Sequence, residues 1–297
     1  MLLITGASGQ LGQRVIHHLV ETLKVDPSRL VAATRSPDKL QHWQAKGIEV
    51  RRLDFDDPTT FPAAFLRIDR ALVISTDVID QPGRRFRQQK AAIDGMVAAG
   101  VKHVVLTSMP NPKESLVLFS IDDANTEDAL IASNLAGWTI LRNHWYFENL
   151  FLTSPSALAT GTWWSADGNG ASADISRDDL ALGAATALAH KGSGQNVYTL
   201  SGPQALTRAE VAQKLSETVG KPIEVAPAPL EAIVSGMISA GFPKSIAEAY
   251  ASLTETNTAA GKVQTVTKDF QNLTGRAPVT FDEWLKNHRD VFISMAA

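Results

Sequence analysis

The sequence predicts an α/β protein with a doubly wound parallel sheet and a smaller, mainly helical lobe towards its C-terminal end. Three features support this fold class. Short β-branched runs alternate with longer stretches of helical period through the first half of the chain, as expected for a parallel sheet covered by helices on both faces. A glycine-rich turn links the first run to the first helical stretch. Beyond residue 201, capped helices punctuated by prolines replace the strand-like runs.

Six strands are predicted, and each is a short apolar run bounded by polar or turn-forming residues. The predicted strands are residues 2–5, 30–34, 48–52, 71–75, 103–108 and 138–142. Between the first two strands, Leu11, Val15, Leu19 and Leu23 recur every fourth residue, which indicates an amphipathic helix. Because crossovers between parallel strands are right-handed, we expect a ligand crevice at the carboxyl ends of the strands.

The strongest local signal is the turn Gly6-Ala7-Ser8-Gly9-Gln10-Leu11-Gly12, which directly follows the first strand and opens the first helix. Backbone N–H groups and the positive end of the helix dipole face one small concavity there, and this arrangement suits a phosphate. Gly6 permits the tight turn, Gly9 lets the backbone approach a pyrophosphate, and Gly12 allows close packing of helix on strand. In this strand-to-helix context the motif predicts a Rossmann fold that binds a dinucleotide.

The end of the second strand indicates which dinucleotide is bound. Sites for NAD usually end this strand with Asp or Glu, which binds the ribose 2′-hydroxyl, whereas here the strand ends with Thr34 and Arg35. A guanidinium can bind a 2′-phosphate through two hydrogen bonds, so Arg35 favours NADP(H), with a solvated strand-end arginine as the alternative. After the third strand, Asp54 and Asp56 are candidates for contact with adenine, and simple solvation of the loop explains them nearly as well.

These observations divide the chain into two expected parts. Residues 1–150 form the NADP(H)-binding Rossmann domain, to which a segment of about residues 174–201 returns. Residues 202–297 form the smaller lobe, with residues 151–173 contributing to it. The runs Thr207-Arg208-Ala209-Glu210 and Thr280-Phe281-Asp282-Glu283 are capping boxes, which predict the starts of two helices in that lobe.

The composition argues against several classes of protein. A formal charge of -3 leaves no basic field for nucleic acid, and the absence of cysteine excludes disulfides, thiolate metal sites and thiol nucleophiles. The histidines lack the spacing of metal ligands, so no metal is expected. No apolar stretch approaches the roughly 18 residues of a membrane span, and the apolar start is too short for a signal peptide. We therefore expect a cytoplasmic protein without a membrane segment.

Further runs give the chain a family resemblance. Besides the glycine turn, the Thr34-Arg35-Ser36-Pro37 strand end and Asp54-Phe55-Asp56, residues 99–103 lead into Thr107-Ser108, and residues 141–149 read Leu-Arg-Asn-His-Trp-Tyr-Phe-Glu-Asn. This last run is the more specific part. Over nearly its whole length the chain resembles the NmrA-like atypical short-chain dehydrogenase/reductases, and within them the bacterial NADPH-dependent quinone oxidoreductases and triphenylmethane reductases.

The resemblance implies that NADPH binds the large domain and that the C-terminal lobe covers a substrate cleft. It also implies a role for individual residues. The pyrophosphate would contact Gly6, Ser8, Gln10 and Leu11, and the 2′-phosphate would contact Arg35. The adenine would lie beside Asp54 and Phe55. The nicotinamide would lie beside Ser75, Thr76, Thr107 and Ser108. The cleft would be lined by Asn143, Trp145, Tyr146 and Asn149.

The sequence departs from the family in the residues that handle the proton. Ordinary short-chain dehydrogenases use Tyr-x-x-x-Lys, but none of Tyr146, Tyr198 and Tyr250 has a lysine four residues later. The helix before the sixth strand, where relatives often carry Lys or His, reads Ser-Ile-Asp-Asp-Ala-Asn-Thr-Glu over residues 120–127. Tyr146 and His144 remain as candidate acids, and a packing role in the core or cleft wall is the alternative for each.

The absence of the Tyr-x-x-x-Lys proton relay favours one type of acceptor. Hydride addition to a quinone gives a phenolate-like anion whose conjugate acid has a pKa of about 10, so water can supply the proton. An alkyl carbonyl instead gives a far more basic alkoxide, which needs a positioned acid. We therefore expect an NADPH-dependent reductase of a quinone or similar small conjugated acceptor.

Two alternative functions and one question of assembly stay open. The first alternative is a non-catalytic, NADP(H)-sensing regulatory protein, for which loss of the relay residues is suitable. The second is a catabolic reductase of an aromatic or dye-like substrate, and the acidic Asp122, Asp123 and Glu127 would favour a cationic one. A homodimer is equally open, because an apolar helix face suits either a core or a subunit interface.

Overall fold

A computed structural model describes residues 1–190, 192 and 194–296 of the protein. Its strands are β1 (Leu2–Ile4), β2 (Leu30–Thr34), β3 (Glu49–Arg52), β4 (Arg70–Val73), β5 (His103–Ser108), β6 (Gly137–Asn143), β7 (Thr162–Ser165), β8 (Ala171–Ser172), β9 (Gln195–Leu200), β10 (Leu206–Thr207) and β11 (Glu224–Pro227). Seven of them form one sheet in the order β3-β2-β1-β4-β5-β6-β9, and every neighbouring pair is parallel. The predicted α/β class with a doubly wound parallel sheet is confirmed.

Helices lie between the strands of the large sheet, and in the described residues beyond β11 they follow one another without a strand. They are α1 (Gln10–His17), α2 (Gln41–Gln44), α3 (Phe61–Ala64), α4 (Arg84–Ala98), α5 (Ser120–Ile131), α6 (Leu150–Thr153), α7 (Pro155–Thr160), α8 (Arg177–Ala189), α9 (Arg208–Val219), α10 (Leu230–Ser239), α11 (Lys244–Ala251), α12 (Asn257–Ala259), α13 (Asp269–Thr274), α14 (Phe281–Asn287) and α15 (Arg289–Ala296). A π-helical segment, His18–Thr22, continues α1. No helix among the described residues is long and apolar enough to cross a bilayer.

The six predicted strands are all present: β2 and β5 have the predicted ends, and the ends of the other four differ by at most two residues. The largest difference lies at β4, which was predicted to reach Ser75 and ends at Val73. Two side-chain hydroxyls explain the early end. The Ile74 N–H donates to Oγ1 of Thr5 at 3.1 Å, and the Ser75 N–H donates to Oγ1 of Thr107 at 2.9 Å. Backbone groups that would continue the strand are thus satisfied by neighbouring strands' side chains.

The sheet separates two apolar cores. On one face, Leu2 and Ile4 of β1 pack with α1 and α8, including Val15 and Leu180. On the other face, Leu3 of β1 packs with side chains of α4 and α5. This alternation follows from the two-residue period of a strand. The carboxyl ends of β1, β4, β5 and β6 lie at one edge of this parallel sheet, which the candidate site occupies.

The remainder of the chain builds a third core. The strand β11 pairs with β7 in parallel, and β10 pairs with β8 antiparallel, so parts of residues 151–173 join the helices of residues 202–296. Its largest members include Phe147, Trp163, Phe281 and Trp284. Both predicted capping boxes are present, at Thr207 and Thr280. The domain boundaries at residues 150 and 202 stay a prediction.

Candidate active site

The glycine turn lies at the carboxyl end of β1, and each of its glycines has a steric reason. Gly6 has a φ of +58°, in the left-handed region, and its carbonyl accepts the Gly9 N–H at 2.9 Å. A side chain at Gly12 would overlap that same carbonyl oxygen and would lie 2.8 Å from the Cα of Ala7. The cap of α1 at Gly9 carries no side-chain hydrogen bond, so the first N–H groups of the helix are available to an anion.

A cavity of about 260 Å³ runs from this turn across the ends of β1, β2 and β4. It brings together eight of the thirteen predicted cofactor residues: Gly6, Ser8, Gly9, Arg35, Asp54, Phe55, Ser75 and Thr76. The other five lie outside its lining, and one of them, Ser108, donates its hydroxyl to Glu127. Gln10, Leu11 and Gly12 form the first turn of α1, and Thr107 lies behind Ser75, to whose N–H its hydroxyl is bonded.

Arg35 is exposed at the end of β2 and forms no salt bridge within the described part of the chain. The loop that carries it is fixed by neighbouring hydroxyls. Oγ of Ser8 and Oγ1 of Thr34 are 2.7 Å apart, and Thr34 Oγ1 also accepts the Ser36 N–H at 3.2 Å. An unpaired guanidinium held beside the cavity is suited to a phosphate oxygen.

The two aspartates after β3 differ in what they bind. Asp54 lines the cavity, and its Oδ1 accepts the Asp56 N–H at 3.0 Å. Asp56 turns away and binds Arg84 at 2.7 Å and Gln88 at 2.8 Å. The hydrogen bond from Arg84 holds the pKa of Asp56 below its usual value. Of the two, only Asp54 is placed for contact with a nucleotide.

The floor of the site between β4 and β5 is a dense hydrogen-bond network. The hydroxyl of Ser75 contacts the Thr107 carbonyl and lies 2.8 Å from Oε1 of Gln89. Next to it, Arg85 donates to the Thr76 carbonyl and, through Nη2 at 3.0 Å, to Oδ1 of Asp123. Sequence reasoning did not find this buried ion pair. No local pattern separates Arg85 from Arg84 and Arg87, because only the tertiary contact distinguishes them.

The three carboxylates of α5 do not form the acidic surface that suggested a cationic substrate. Asp122, Asp123 and Glu127 are 1–3% exposed. Oxygens of Asp122 accept the Gly83 N–H, and Glu127 binds Arg142 and the Ser108 hydroxyl. Burial raises the pKa of Asp123. Because these groups are desolvated and mostly paired, they give no open attraction for a cation.

The end of β6 presents the predicted cleft residues. Trp145 and Tyr146 are half-buried, and their rings are nearly parallel, with centroids 6.2 Å apart. Trp145 also meets the ring of Tyr250 edge-on at 6.0 Å. The guanidinium of Arg177, at the start of α8, lies 5.0 Å from the centroid of the Tyr146 ring. Arg177 is a second site residue that the sequence analysis missed.

Burial controls protonation at this end of the site. It lowers the pKa of His144 to about 4, so this imidazole is neutral at pH 7. It raises the pKa of the Tyr146 hydroxyl, although the positive charges of Arg177 and Arg85 act in the opposite direction. Glu148 and Asp123 are the negative groups that also raise it. At neutral pH the site therefore contains a neutral histidine and a protonated tyrosine.

Several buried polar atoms of the site have no hydrogen-bond partner among the described residues. They are Thr76 Oγ1, Gln88 Oε1, Asn143 Oδ1, Asn149 Nδ2 and both ring nitrogens of His144. Buried polar groups are ordinarily satisfied, so such a group of unpaired atoms indicates a missing polar ligand. Together with the glycine turn and the free Arg35, this fits a nicotinamide dinucleotide that extends from β2 to β6.

The sheet order, the glycine turn and the cavity at the strand ends define a dinucleotide-binding protein of the Rossmann class. A family model described as NAD(P)H-binding matches residues 6–191, and the chain belongs to this family. The predicted resemblance to NmrA-like oxidoreductases is also confirmed by the relatives that follow.

Three relatives match over most of the chain. Quinone oxidoreductase 2 of Escherichia coli (strain K12) is 34% identical over 84% of this chain and 85% of that protein. Its crystal structure with NADPH superimposes with a TM-score of 0.90 at 32% identity, covering 97% of this chain and 99% of that one. The NAD(P)H azoreductase of Xenophilus azovorans is 31% identical over 98% of this chain and 99% of its own length. The triphenylmethane reductase of Citrobacter sp., complexed with NADP(H), has a TM-score of 0.88, 29% identity and full coverage of both chains.

Proposed function

We propose that the protein is an NADPH-dependent reductase that transfers hydride to a quinone or similar conjugated acceptor. The observation that carries this proposal is the stacked pair of Trp145 and Tyr146 at the end of β6. The nicotinamide end of the dinucleotide would lie beside this pair. Parallel aromatic rings offer a flat, apolar contact surface to a planar acceptor. Relatives named for the reduction of quinones, azo compounds and triphenylmethane compounds support the same class of acceptor.

The dinucleotide, when bound, supplies the hydride from its reduced ring, and the chain supplies binding and orientation. The N–H groups of the glycine turn and the start of α1 would hold the pyrophosphate. Arg35 would bind the 2′-phosphate, with Asp54 and Phe55 beside the adenine. The network of Ser75, Thr107 and Gln89 gives the nicotinamide end a rigid floor.

Tyr146 is the better of the two candidate acids. Its hydroxyl is protonated at neutral pH and can donate a hydrogen bond to an acceptor oxygen as negative charge develops there. His144 has a pKa of about 4, so it carries no imidazolium proton to give at pH 7. Arg177, stacked on the Tyr146 ring, would stabilise any negative charge that builds on the phenol.

The reductase is tested by NADPH consumption with a panel of benzoquinones, a simple alkyl ketone and a cationic triphenylmethane dye, with NADH in parallel. We expect turnover of quinones with NADPH, weaker use of NADH, and no turnover of the ketone. Tight NADPH binding without reduction of any acceptor would contradict the proposal and favour the sensing alternative. Preference for the cationic dye over every neutral quinone would favour the catabolic one.

The role of Tyr146 has its own test. We expect Tyr146→Phe to lower kcat by about 100-fold or more with acceptors whose reduced anions are basic, because general acid assistance contributes roughly 100- to 10,000-fold. The effect should be smaller with electron-poor quinones, whose anions need little assistance. The matched control is Tyr198→Phe, which removes a hydroxyl from β9, outside the site. Steady-state kinetics across an acceptor series of graded basicity provides the measurement. An equal loss with every acceptor would show that Tyr146 acts by packing alone.

A further inference from the structure

A second, larger cavity lies under α10. Its volume is about 830 Å³, and one of its walls is a single face of that helix, formed by Ala232, Ile233, Gly236 and Met237. None of the residues of α10 is buried, although seven of the ten are Leu, Ala, Ile, Val, Met or Gly. An apolar helix ordinarily buries its apolar face. Here that face covers an open space, which we call the α10 chamber.

The rest of the lining is also largely apolar and includes four aromatic residues. They are Trp163 and Trp164 of β7, Phe242 and Tyr250. Trp164 is 57% exposed, which is unusual for so large an apolar side chain. Two tryptophans, a phenylalanine and a tyrosine around one cavity are typical of a site for an apolar ligand.

The α10 chamber adjoins the cavity beside Trp145 and Tyr146, because the two share lining residues. Thr153, Arg208 and Thr254 line both the chamber and a smaller cavity of about 70 Å³ that touches Trp145 and Tyr146. Tyr250 lines the chamber and contacts the ring of Trp145 edge-on at 6.0 Å. A molecule whose reactive ring lies on Trp145 could therefore extend past Tyr250 and Arg208 into the chamber.

The charges of the lining favour a neutral occupant. Its two charged residues within the described chain are Arg208 and Glu255, and they bind each other at 3.2 Å. Arg208 also lies over the ring of Trp163, 5.0 Å from its centroid. No unpaired charge is left to hold an ionic group. The volume, near the upper end of the roughly 300–1,000 Å³ range of ligand pockets, exceeds what one quinone ring needs.

We propose that the α10 chamber receives a long, neutral hydrocarbon tail of the acceptor, so that the preferred substrates are quinones with an isoprenoid-like side chain. The proposal rests on the proposed quinone reductase function and specifies its substrate class. Each methylene transferred from water into such a chamber strengthens binding by about fourfold. Tail length should therefore dominate selection among quinones that share one ring.

The first experiment measures kcat/KM for quinones with the same ring and tails of increasing length. We expect kcat/KM to rise at least about tenfold from the tail-free quinone to the longest tail. Gly236→Phe fills the chamber, because Gly236 lies in its lining and a side chain there meets open space. This variant should lose the tail preference and keep the activity with the tail-free quinone. Ser235→Phe, on the same helix but outside the lining, is the control and should keep both.

The second experiment uses no cofactor. An isoprenoid alcohol that lacks a quinone ring is titrated against the protein while tryptophan fluorescence is recorded. We expect a saturable change that is lost in Gly236→Phe and strongly reduced in Trp164→Phe. The same alcohol should inhibit reduction of the long-tailed quinone competitively.

The outcomes separate this proposal from the proposed function. If quinones are reduced with no dependence on tail length and the alcohol does not bind, the tail proposal is overturned and the reductase function stands. If no quinone is reduced at all, the reductase function fails and the tail proposal fails with it. If a cationic dye, rather than the alcohol, gives the change that Gly236→Phe abolishes, the chamber takes a dye and the tail proposal is again overturned.

Discussion

His144 and Arg35 illustrate, at the scale of single residues, how the site depends on unpaired groups. His144 is 2% exposed, and neither of its ring nitrogens has a partner among the described residues. Arg35 is the opposite case, an exposed cation beside the nucleotide cavity. In the protein alone, the unpaired His144 lowers the free energy of unfolding, and the exposed Arg35 changes it little. A polar ligand would give both residues a hydrogen-bond partner.

Lowering the pH should destabilise the protein through His144. Its pKa falls from 6.5 to about 4 on folding, so the unfolded chain binds more protons between those values. The contribution of neutral His144 to the free energy of unfolding is therefore fully present above about pH 6.5. It is lost as the pH falls towards 4, and the loss is at most about 3 kcal/mol. We expect His144→Gln to reduce that loss, while His17→Gln, an exposed control, leaves it unchanged. Urea unfolding of the three proteins at pH 7 and near pH 4.5 measures the difference.

Comparison with His144→Gln is needed because other buried groups titrate in the same pH range. His103 has a pKa of about 4, chiefly because of burial, and destabilises the protein in the same direction. Asp174, whose pKa burial raises to about 6, has the opposite sign: it favours the folded state at low pH and loses that contribution as the pH rises. An identical pH dependence in wild type and His144→Gln would contradict the assignment of a buried neutral imidazole.

Arg35 should decide between the two nicotinamide dinucleotides. We expect Arg35→Ala to raise KM for NADPH by about 10- to 100-fold, because a charge-assisted bond to the 2′-phosphate is lost, and to leave KM for NADH nearly unchanged. Arg52→Ala is the matched control, since Arg52 ends the neighbouring strand β3 outside the cavity. Equal effects on both cofactors would mean that Arg35 acts through the fold rather than through the phosphate.

At the scale of elements, α1 and α10 each contain a glycine, for different reasons. Gly12 lies where a Cβ would overlap the backbone of the glycine turn, whereas Gly236 faces open space. The same substitution should thus have opposite effects. We expect Gly12→Ala to cost about 1–3 kcal/mol of unfolding free energy through overpacking, and Gly236→Ala to gain up to about 1 kcal/mol from helix propensity. Urea unfolding without cofactor tests both, and a loss at Gly236 would show that the helix is packed there.

The sequence predicts which strands and helices exist better than it predicts where they end and which residues they contact. Short apolar runs reveal the strands, because a strand of a parallel sheet is buried on both faces and its residues are therefore mostly apolar. The end of β4 depends on Thr5 and Thr107, which are distant in sequence, and no local pattern encodes them. The acids of α5 suggested a cationic substrate because Arg85 and Arg142, which pair with two of them and make their burial tolerable, come from other elements. The α10 chamber could not be predicted from the sequence for the same reason, since an apolar helix pattern does not show whether the helix packs on side chains or faces a cavity.

At the scale of the whole molecule, a buried ionic cluster joins residues that are far apart in the chain. Arg208, at the start of α9, binds Asp167 at 3.0 Å and Glu255 at 3.2 Å, and both carboxylates are almost fully buried. Removal of the cation leaves two uncompensated buried charges. We expect Arg208→Met to cost about 3–5 kcal/mol of unfolding free energy. Arg289→Met, at an exposed pair, should change it by less than about 0.5 kcal/mol.

Denaturant unfolding at neutral and at mildly acidic pH tests this cluster. Burial raises the pKa of Asp167, so acid should neutralise that carboxyl more readily once Arg208 is gone and should recover part of the loss. A small effect of Arg208→Met at both pH values would mean that water reaches the two carboxylates.

The position of β9 at the edge of the sheet has a consequence for synthesis of the chain on the ribosome. β6 ends at Asn143, and its partner β9 begins only at Gln195. At ordinary translation rates that gap lasts roughly 3–10 s, during which the outer edge of β6 has no neighbour to take its hydrogen bonds. The segment α13, which packs on α8 and β9, emerges later still. The nascent protein therefore passes through an interval in which an open strand edge is its most vulnerable surface, and its yield in cells should depend on how well chaperones protect that edge.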